Sequence, residues 1–497
     1  MFKKNRQPPV AYPRRLKQWT VGDEAPRAGF ASLREEGAEA ILLQIGLSSA
    51  EATVRDIEFC LCEVSRCAET VAAAGLPVWL SIDHTLFDAY RLLNGLGGTM
   101  REASTNTMTD LPDYADLRCQ QCDRKLLDQL IDVVPNLCGL VVGSVIAPQI
   151  FAEHKHFYSP NFVHEFRDRH QYDWQEHFQT DNARTRADYY ATWSDILFRL
   201  QSSLAFAFRH RCGFHHPFIY RASPPQTGVG EDLYRMAVYI ADGVVVEHCT
   251  PEDMEFHLAR SVAKYVARNL CWVAQSDGWL EAILPADGKC VDVAMVWNWE
   301  TEAAMSPSLR LHYRRSLGAV CALLGANNFS FDIISPEVVT TAEEPTLSGG
   351  FRREEAEYRC LVSPYGFLFQ PLDWEIMESL SAVGGRLLFY GPAPQITTTG
   401  QTLRESFAEL TGCIVAPLGE ESRISLTNGL RIDTRLFDCR ESECLCYPLR
   451  CENPLVDCAG TPLGVRKHNT IYLAFDAPVC CAELFLAVLG QLLSDND

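Results

Sequence analysis

The sequence has no apolar run of the length a bilayer-spanning helix needs, so no membrane span is expected. Positive charge is scarce: 44 Lys and Arg face 64 Asp and Glu, a net charge of −20. Such a surface repels phosphate backbones and anionic headgroups, which argues against nucleic acid and membranes as partners. The start, Met1-Phe-Lys-Lys-Asn-Arg, is basic but lacks the apolar core of a secretory signal, and a cytoplasmic protein is expected. There are no internal repeats and no low-complexity tract. A glycine-rich phosphate loop is missing too. The turn after an expected strand at 291–297 reads Asn298-Trp-Glu-Thr-Glu-Ala-Ala304, whose two acids would repel a phosphate. No nucleotide, flavin or other cofactor is expected.

Metal signatures are equally thin. Cys119-Gln-Gln-Cys122 has no second pair to complete a zinc site, and His154/His156 and His215/His216 lack a carboxylate at a ligand spacing. The chain has 20 cysteines, most inside apolar strand or helix patterns, where a free thiol acts as a small buried hydrophobe. Cys439, Cys444, Cys446, Cys451 and Cys458, with Cys480-Cys481 beyond, are denser but fit no regular zinc module. They read as reduced thiols of a cytosolic protein.

What is present is a chain of 497 residues, too long for one core, so two to four domains are expected. Residues 1–285 alternate short apolar strands with longer amphipathic helices. Strands are expected at 40–45, 77–83, 138–144, 217–222, 242–247 and 269–275, a seventh near 16–21, and an eighth is not evident. Repeated βα units of this number favour a (β/α)8 barrel. Residues 286–422 read as a second α/β unit, with strands at 291–297, 329–334, 359–363 and 386–390. Residues 423–497 read as a small domain of short strands, including 470–475, with a closing helix over 482–493.

Two stretches carry a family likeness. Tyr358-Arg-Cys-Leu-Val-Ser-Pro-Tyr-Gly366, then Gly384-Gly385 and Arg386-Leu-Leu-Phe-Tyr-Gly391, give a buried strand, a helix ended by Gly-Gly and a second buried strand. Tyr158-Ser-Pro-Asn-Phe-Val-His-Glu-Phe-Arg leads through Gln171-Tyr-Asp173 to Arg186-Ala-Asp-Tyr-Tyr190. The first resembles the flavodoxin-like trimerisation domain of family 42 beta-galactosidases. The second resembles a segment that follows the acid-bearing strand in sugar-cleaving barrels. The resemblance implies a glycosidase-like TIM barrel acting on a carbohydrate, and a homo-oligomer, in the family a trimer, assembled through the second unit.

Glycosidic cleavage normally uses two carboxylates, and the resemblance places them after the fourth and seventh strands. After the fourth stands Gly143-Ser-Val-Ile-Ala-Pro-Gln149-Ile-Phe-Ala-Glu153; the Asn-Glu pair of the family is missing. Gln149 holds a plausible acid position without a labile proton, and Glu153 is the nearest carboxylate and the candidate acid. After the seventh stands Gln275-Ser-Asp277-Gly-Trp279, an amide where a nucleophile would be expected. Asp277 follows, between Trp272 and Trp279, whose faces would suit a sugar ring. Glu247, ending an apolar strand, is the strongest single carboxylate and the candidate nucleophile or base. It would be the seventh-strand acid if one strand upstream were uncounted; His248 would face the other way. Asp83, Arg221 and Gln226 complete the candidate substrate contacts. The amides at both expected positions leave two rivals to hydrolysis: a carbohydrate-binding barrel without catalysis, and a structural oligomerising subunit.

Overall fold

A computed structural model describes residues 12–23, 29–47, 52–134, 136–152, 155–174, 183–222, 232–247, 253–264, 270–283, 290–336, 343–345, 351–353, 356–366, 368–416, 422–433, 435–441, 443–447 and 449–494. The chain divides into two compact units. The first comprises 1–176, 189–250 and 262–285, and the second 177–188, 251–261 and 286–497. Among the described residues no helix is long and apolar enough to cross a membrane.

The first unit is a closed eight-stranded barrel. Its strands are β1 (Arg15–Thr20), β2 (Ala40–Ile45), β3 (Val78–Ile82), β4 (Leu137–Val142), β5 (Phe218–Ala222), β6 (Gly243–Glu247), β7 (Leu270–Ala274) and β8 (Trp279–Ala282), in ring order. Strands β1 to β7 pair in parallel. Those from β2 to β7 are short and mostly apolar because both faces are covered; β3 and β5 are buried at every position, whereas β1 is mixed and buries Leu16. The eighth strand corrects the (β/α)8 expectation. It runs antiparallel to both β7 and β1, as the second arm of a hairpin.

Strand alternation sends every second side chain inward. Leu16, Ala40, Leu42, Trp79, Val141, Ile219, Val245, Trp272 and Leu280 form one packed interior cluster. Trp79 and Trp272 meet edge to face there, their centroids 6.0 Å apart. Gly139 makes room for them: a Cβ on it would lie 2.6 Å from the Trp79 ring. Gly139→Ala should therefore overpack the interior and cost about 1–3 kcal/mol in urea unfolding.

Outside the ring lie helices whose buried residues keep helical spacing. In α1 (Val54–Ala73) these are Ile57, Cys60, Val64, Ala68 and Val71, behind a capping box of Thr53 and Asp56. Helix α2 (His84–Leu93) follows β3, and α3 (Arg118–Val133) precedes β4. After β4 comes α4 (Pro160–His170), capped by Ser159 with Pro160 in its first turn and stopped by Gln171 at φ 63°. Gln171 thus holds the left-handed position that a glycine would normally take.

The second unit is built on a sheet whose parallel strands are β9 (Cys290–Val296), β10 (Phe331–Ile334), β11 (Ala356–Pro364), β12 (Leu387–Tyr390) and β13 (Thr470–Leu473). Their spatial order is β10-β9-β11-β12-β13. That is the 2-1-3-4-5 doubly wound order. Helix α5 (Pro307–Ala326) joins the first two strands, and α6 (Pro371–Ala382) joins β11 to β12. Gly384 at φ 84° and the bond from Gly385 N to Leu380 O end α6 as the Gly-Gly pair implied. The stretch 423–497, read as a domain of its own, instead supplies the fifth parallel strand and its antiparallel continuation.

Candidate functional site

Two positions along each strand beyond the apolar cluster, the barrel interior turns polar. Alternation brings Gln18 of β1, Gln44 of β2, Ser81 of β3, Arg221 of β5 and Glu247 of β6 inward at the carboxy-terminal ends of their strands. Active sites of parallel barrels gather at this rim. Arg221 is the centre. Its Nη1 donates to Ser81 Oγ at 3.1 Å, its Nη2 to Gln18 Oε1 at 2.9 Å, and its Nε to Glu247 Oε1. Gln18 Nε2 in turn donates to Gln44 Oε1. The Arg221 side chain is 9% exposed, whereas the Glu247 side chain keeps 26% of its surface open. The floor of the mouth is thus a charge-balanced pair flanked by amides and a hydroxyl.

Topology settles which strand carries which residue. β6 is sixth in the ring, so the alternative count that would have made Glu247 the seventh-strand acid does not hold. The fourth strand ends at Val142 and runs into Gly143-Ser144, with no carboxylate. The loop beyond is pinned: Ser144 Oγ donates to Ile146 O at 2.7 Å, Arg91 Nη1 to Val145 O at 2.6 Å, and Ala147 N to Tyr114 Oη at 3.2 Å. Gln149 lies exposed on the single turn Pro148–Phe151. Glu153, like Gln226 and His248, lies outside the described residues.

The seventh strand runs directly into a tight turn. Gln275 N donates to Trp279 O at 2.7 Å and Gly278 N to Gln275 O at 3.0 Å, with Gly278 at φ 81°. Gln275 and Asp277 are exposed on this turn. The Asp277 carboxylate accepts Trp279 N at 3.2 Å, and its carbonyl accepts Lys17 Nζ at 2.6 Å. Trp279 faces away from the interior, with Arg15 and Lys17 over its ring at 4.5 and 5.0 Å. The expected sugar-stacking platform is therefore corrected. Trp272 packs in the interior, Trp279 covers the outer wall, and the stretch between them is a hairpin.

Asp83 follows β3 and caps α2, accepting Thr85 N at 2.9 Å and pairing with His84 Nδ1 at 3.1 Å. Burial raises its carboxyl, but the bonds from His84 and Thr85 outweigh this and bring it down to about 2. A carboxylate so held contributes stability above its unfolded value near 4 and loses it as pH falls toward 2. Asp83→Ala should cost about 1 kcal/mol at pH 7 by urea unfolding, a cap-sized loss, because the side chain is partly exposed.

Three rim residues escaped the sequence reading: Gln18, Gln44 and Ser81. A signal was there, since each is a polar residue two positions beyond an inward apolar one, and Gln44 and Ser81 stand inside strands otherwise apolar. Among the described residues the structure brings together Arg221 and Glu247 of the expected set. It leaves Gln149, Gln275 and Asp277 on exposed turns, and Trp279 outside the barrel wall.

No family model and no curated protein matches the sequence. Solved structures do match the fold. A catalytic mutant of a GH42 beta-galactosidase from G. stearothermophilus aligns with TM-score 0.65 at 11% identity, over 93% of this chain and 85% of that one. The beta-galactosidase of Rahnella sp. R3 gives 0.63 at 11%, over 96% and 88%. That of Bacillus circulans sp. alkalophilus gives 0.62 at 13%, also over 96% and 88%. The chain has a GH42-like fold, as the two sequence stretches implied.

Proposed function

We propose that the barrel mouth binds a carbohydrate and does not cleave it by the paired-carboxylate route. The observation that carries this reading is the rim itself. Gly143-Ser144 and Gln275-Ser276 follow the fourth and seventh strands, and the inward acid among the described residues, Glu247, is tied to Arg221. Hydrolysis asks for two acids across the scissile bond. A balanced ion pair flanked by amides instead offers donors and acceptors for neutral hydroxyls, which fits a galactoside or a related sugar. Gln149 and Gln275, on the rim loops, and Asp83, beside the second-strand loop, are the further contacts in this proposal.

A second reading keeps the glycosidase: Glu247 as nucleophile or base and Glu153 as acid. It is favoured by the position of Glu247 at the end of an inward-facing strand and by the fold it shares with beta-galactosidases. Aryl galactosides, glucosides, fucosides and mannosides assayed with wild type, Glu247→Gln and Glu153→Gln separate the two. Binding reading: no turnover above background, with calorimetric sugar binding that weakens in Glu247→Gln. Turnover in wild type that falls roughly a hundredfold or more in each variant establishes hydrolysis instead. We also propose that the second unit carries homo-oligomerisation, as a trimer, which mass measurement in solution would show by a mass near three chains.

A further inference from the structure

The second unit holds a cavity of about 560 Å³ beside the end of helix α7 (Arg404–Thr411), the strand Thr461–Lys467 and the antiparallel pair of Ile414–Val415 with Leu449–Arg450. Small-molecule sites span roughly 300–1,000 Å³, so the volume suits one. Its charge departs from that of the whole protein. Arg450, Arg466 and Lys467 line it against a single acid, Glu452, in a chain of net charge −20. The wall is tied down. Gly412, at φ 76°, closes α7 with its N on Ala408 O at 2.8 Å, and Arg404 Nη2 donates to Val415 O at 3.1 Å. Lys467 Nζ donates to Glu409 O in the last turn of α7, where the helix dipole favours a cation. Arg466 turns its Nε to His468 O at 2.9 Å. Arg450, Glu452 and Asn453 differ from these: among the described residues their side chains enter no ion pair or hydrogen bond. Opposite charges two residues apart thus line one cavity without meeting each other.

We propose that this cavity is a binding site for a phosphomonoester on a small hydroxylated body, the chemistry of a sugar monophosphate. Arg450 offers the planar fork and Lys467 the compact point charge that phosphate oxygens accept from. Two cations match the charge of about −1.5 to −2 that a phosphomonoester carries at pH 7. Lys467 spends one of its three protons on Glu409 O and keeps two for the ligand. Glu452 repels the phosphate and so orients the ligand, its carboxylate accepting from hydroxyls of the body while the Asn453 amide donates to them or accepts. A bare anion would leave Glu452 unsatisfied, and a neutral sugar would leave Arg450 so. All the lining residues belong to the second unit, and the site is independent of whether the barrel mouth binds or cleaves a carbohydrate.

The test is calorimetry on the full chain in phosphate-free buffer, with glucose 6-phosphate, glucuronate, inorganic phosphate and glucose as probes. Glucose 6-phosphate is expected to bind with Kd below about 1 mM, and Arg450→Gln and Lys467→Gln should each weaken it at least about tenfold. Glu452→Gln should weaken glucose 6-phosphate but leave inorganic phosphate unchanged or tighter. Neither Arg450→Gln nor Lys467→Gln should alter the glucose titration, which reads the barrel mouth alone. Arg450 is exposed and its side chain bonds to no described residue, so Arg450→Gln should keep the melting temperature within about 2 °C of wild type, and its lost affinity is not lost folding. Four results would each overturn the proposal: no heat with glucose 6-phosphate, binding that survives both substitutions, glucuronate as tight as glucose 6-phosphate, or inorganic phosphate as tight.

Discussion

Arg91→Leu should cost about 3–5 kcal/mol of unfolding free energy, because it removes one partner of a fully buried charge cluster and strands the others. Arg91, on α2, is 0% exposed. Its Nε and Nη2 grip the Asp123 carboxylate at 2.8 and 2.7 Å, and Nη1 reaches Asp88 at 3.2 Å and the Val145 carbonyl at 2.6 Å. Tyr114 Oη donates to Asp88 at 2.9 Å. Burial pushes both acids upward, Asp88 to about 6, with Arg91 pulling the other way. Without the guanidinium both should rise further. A carboxyl raised by folding contributes stability at low pH and loses it as pH climbs through its folded value. The variant should therefore recover part of its loss between pH 7 and pH 5, and Arg91→Leu combined with Asp123→Leu should recover more. Urea unfolding at both pH values checks this. A loss under 1 kcal/mol at pH 7 would show that the cluster does not hold the helix pair and the fourth-strand loop as described.

Arg221→Leu should be nearly as costly and should also abolish ligand binding. It leaves Glu247 without its guanidinium and strands Ser81 and Gln18 inside the barrel. Hydrogen bonds to a charged group contribute about 1.5–3 kcal/mol each, and because the Glu247 side chain keeps 26% of its surface open to water, which offsets part of the loss, about 2–4 kcal/mol is expected. Adding Glu247→Leu removes the stranded charge and should restore most of that stability. It should not restore sugar affinity, which is expected to stay at least tenfold weaker than wild type, about 1.4 kcal/mol, in calorimetry. Recovery of both together would mean that the pair only packs the barrel and does not contact ligand.

Much of the fold was legible because burial on two faces leaves a plain mark. Six barrel strands read as short apolar runs, a seventh was expected near 16–21 from where the fold begins, and the Gly384-Gly385 stop was visible as a left-handed helix end. The eighth strand was not legible. It has four residues, one of them the exposed Glu281, and the βα rhythm directs attention to a helix after β7, not to a turn at 275–278. That miss also produced the error at Trp279, since a residue read as part of a rim loop stands on the outside of a hairpin arm. The fifth parallel strand of the second unit hid for a different reason. Antiparallel strands intervene between β12 and β13, so Thr470–Leu473 read as part of a separate domain. At the site, Glu247 and Arg221 were found as single polar residues at strand ends. Their bond to each other, and that of Arg221 to Gln18 and Ser81, depends on a ring closure that spacing along the chain does not express.

The hairpin closure bears on how the chain is made. Lys17 meets Asp277, 260 residues further on, and β1 has its second neighbour only once β8 exists. A chain emerging from the ribosome at roughly 5–20 residues per second would carry β1 as an open edge for tens of seconds. Unpaired edges of apolar strands invite pairing with other chains. The cations Arg15 and Lys17, which later lie over Trp279, mark that edge in the interval and would deter such pairing during synthesis.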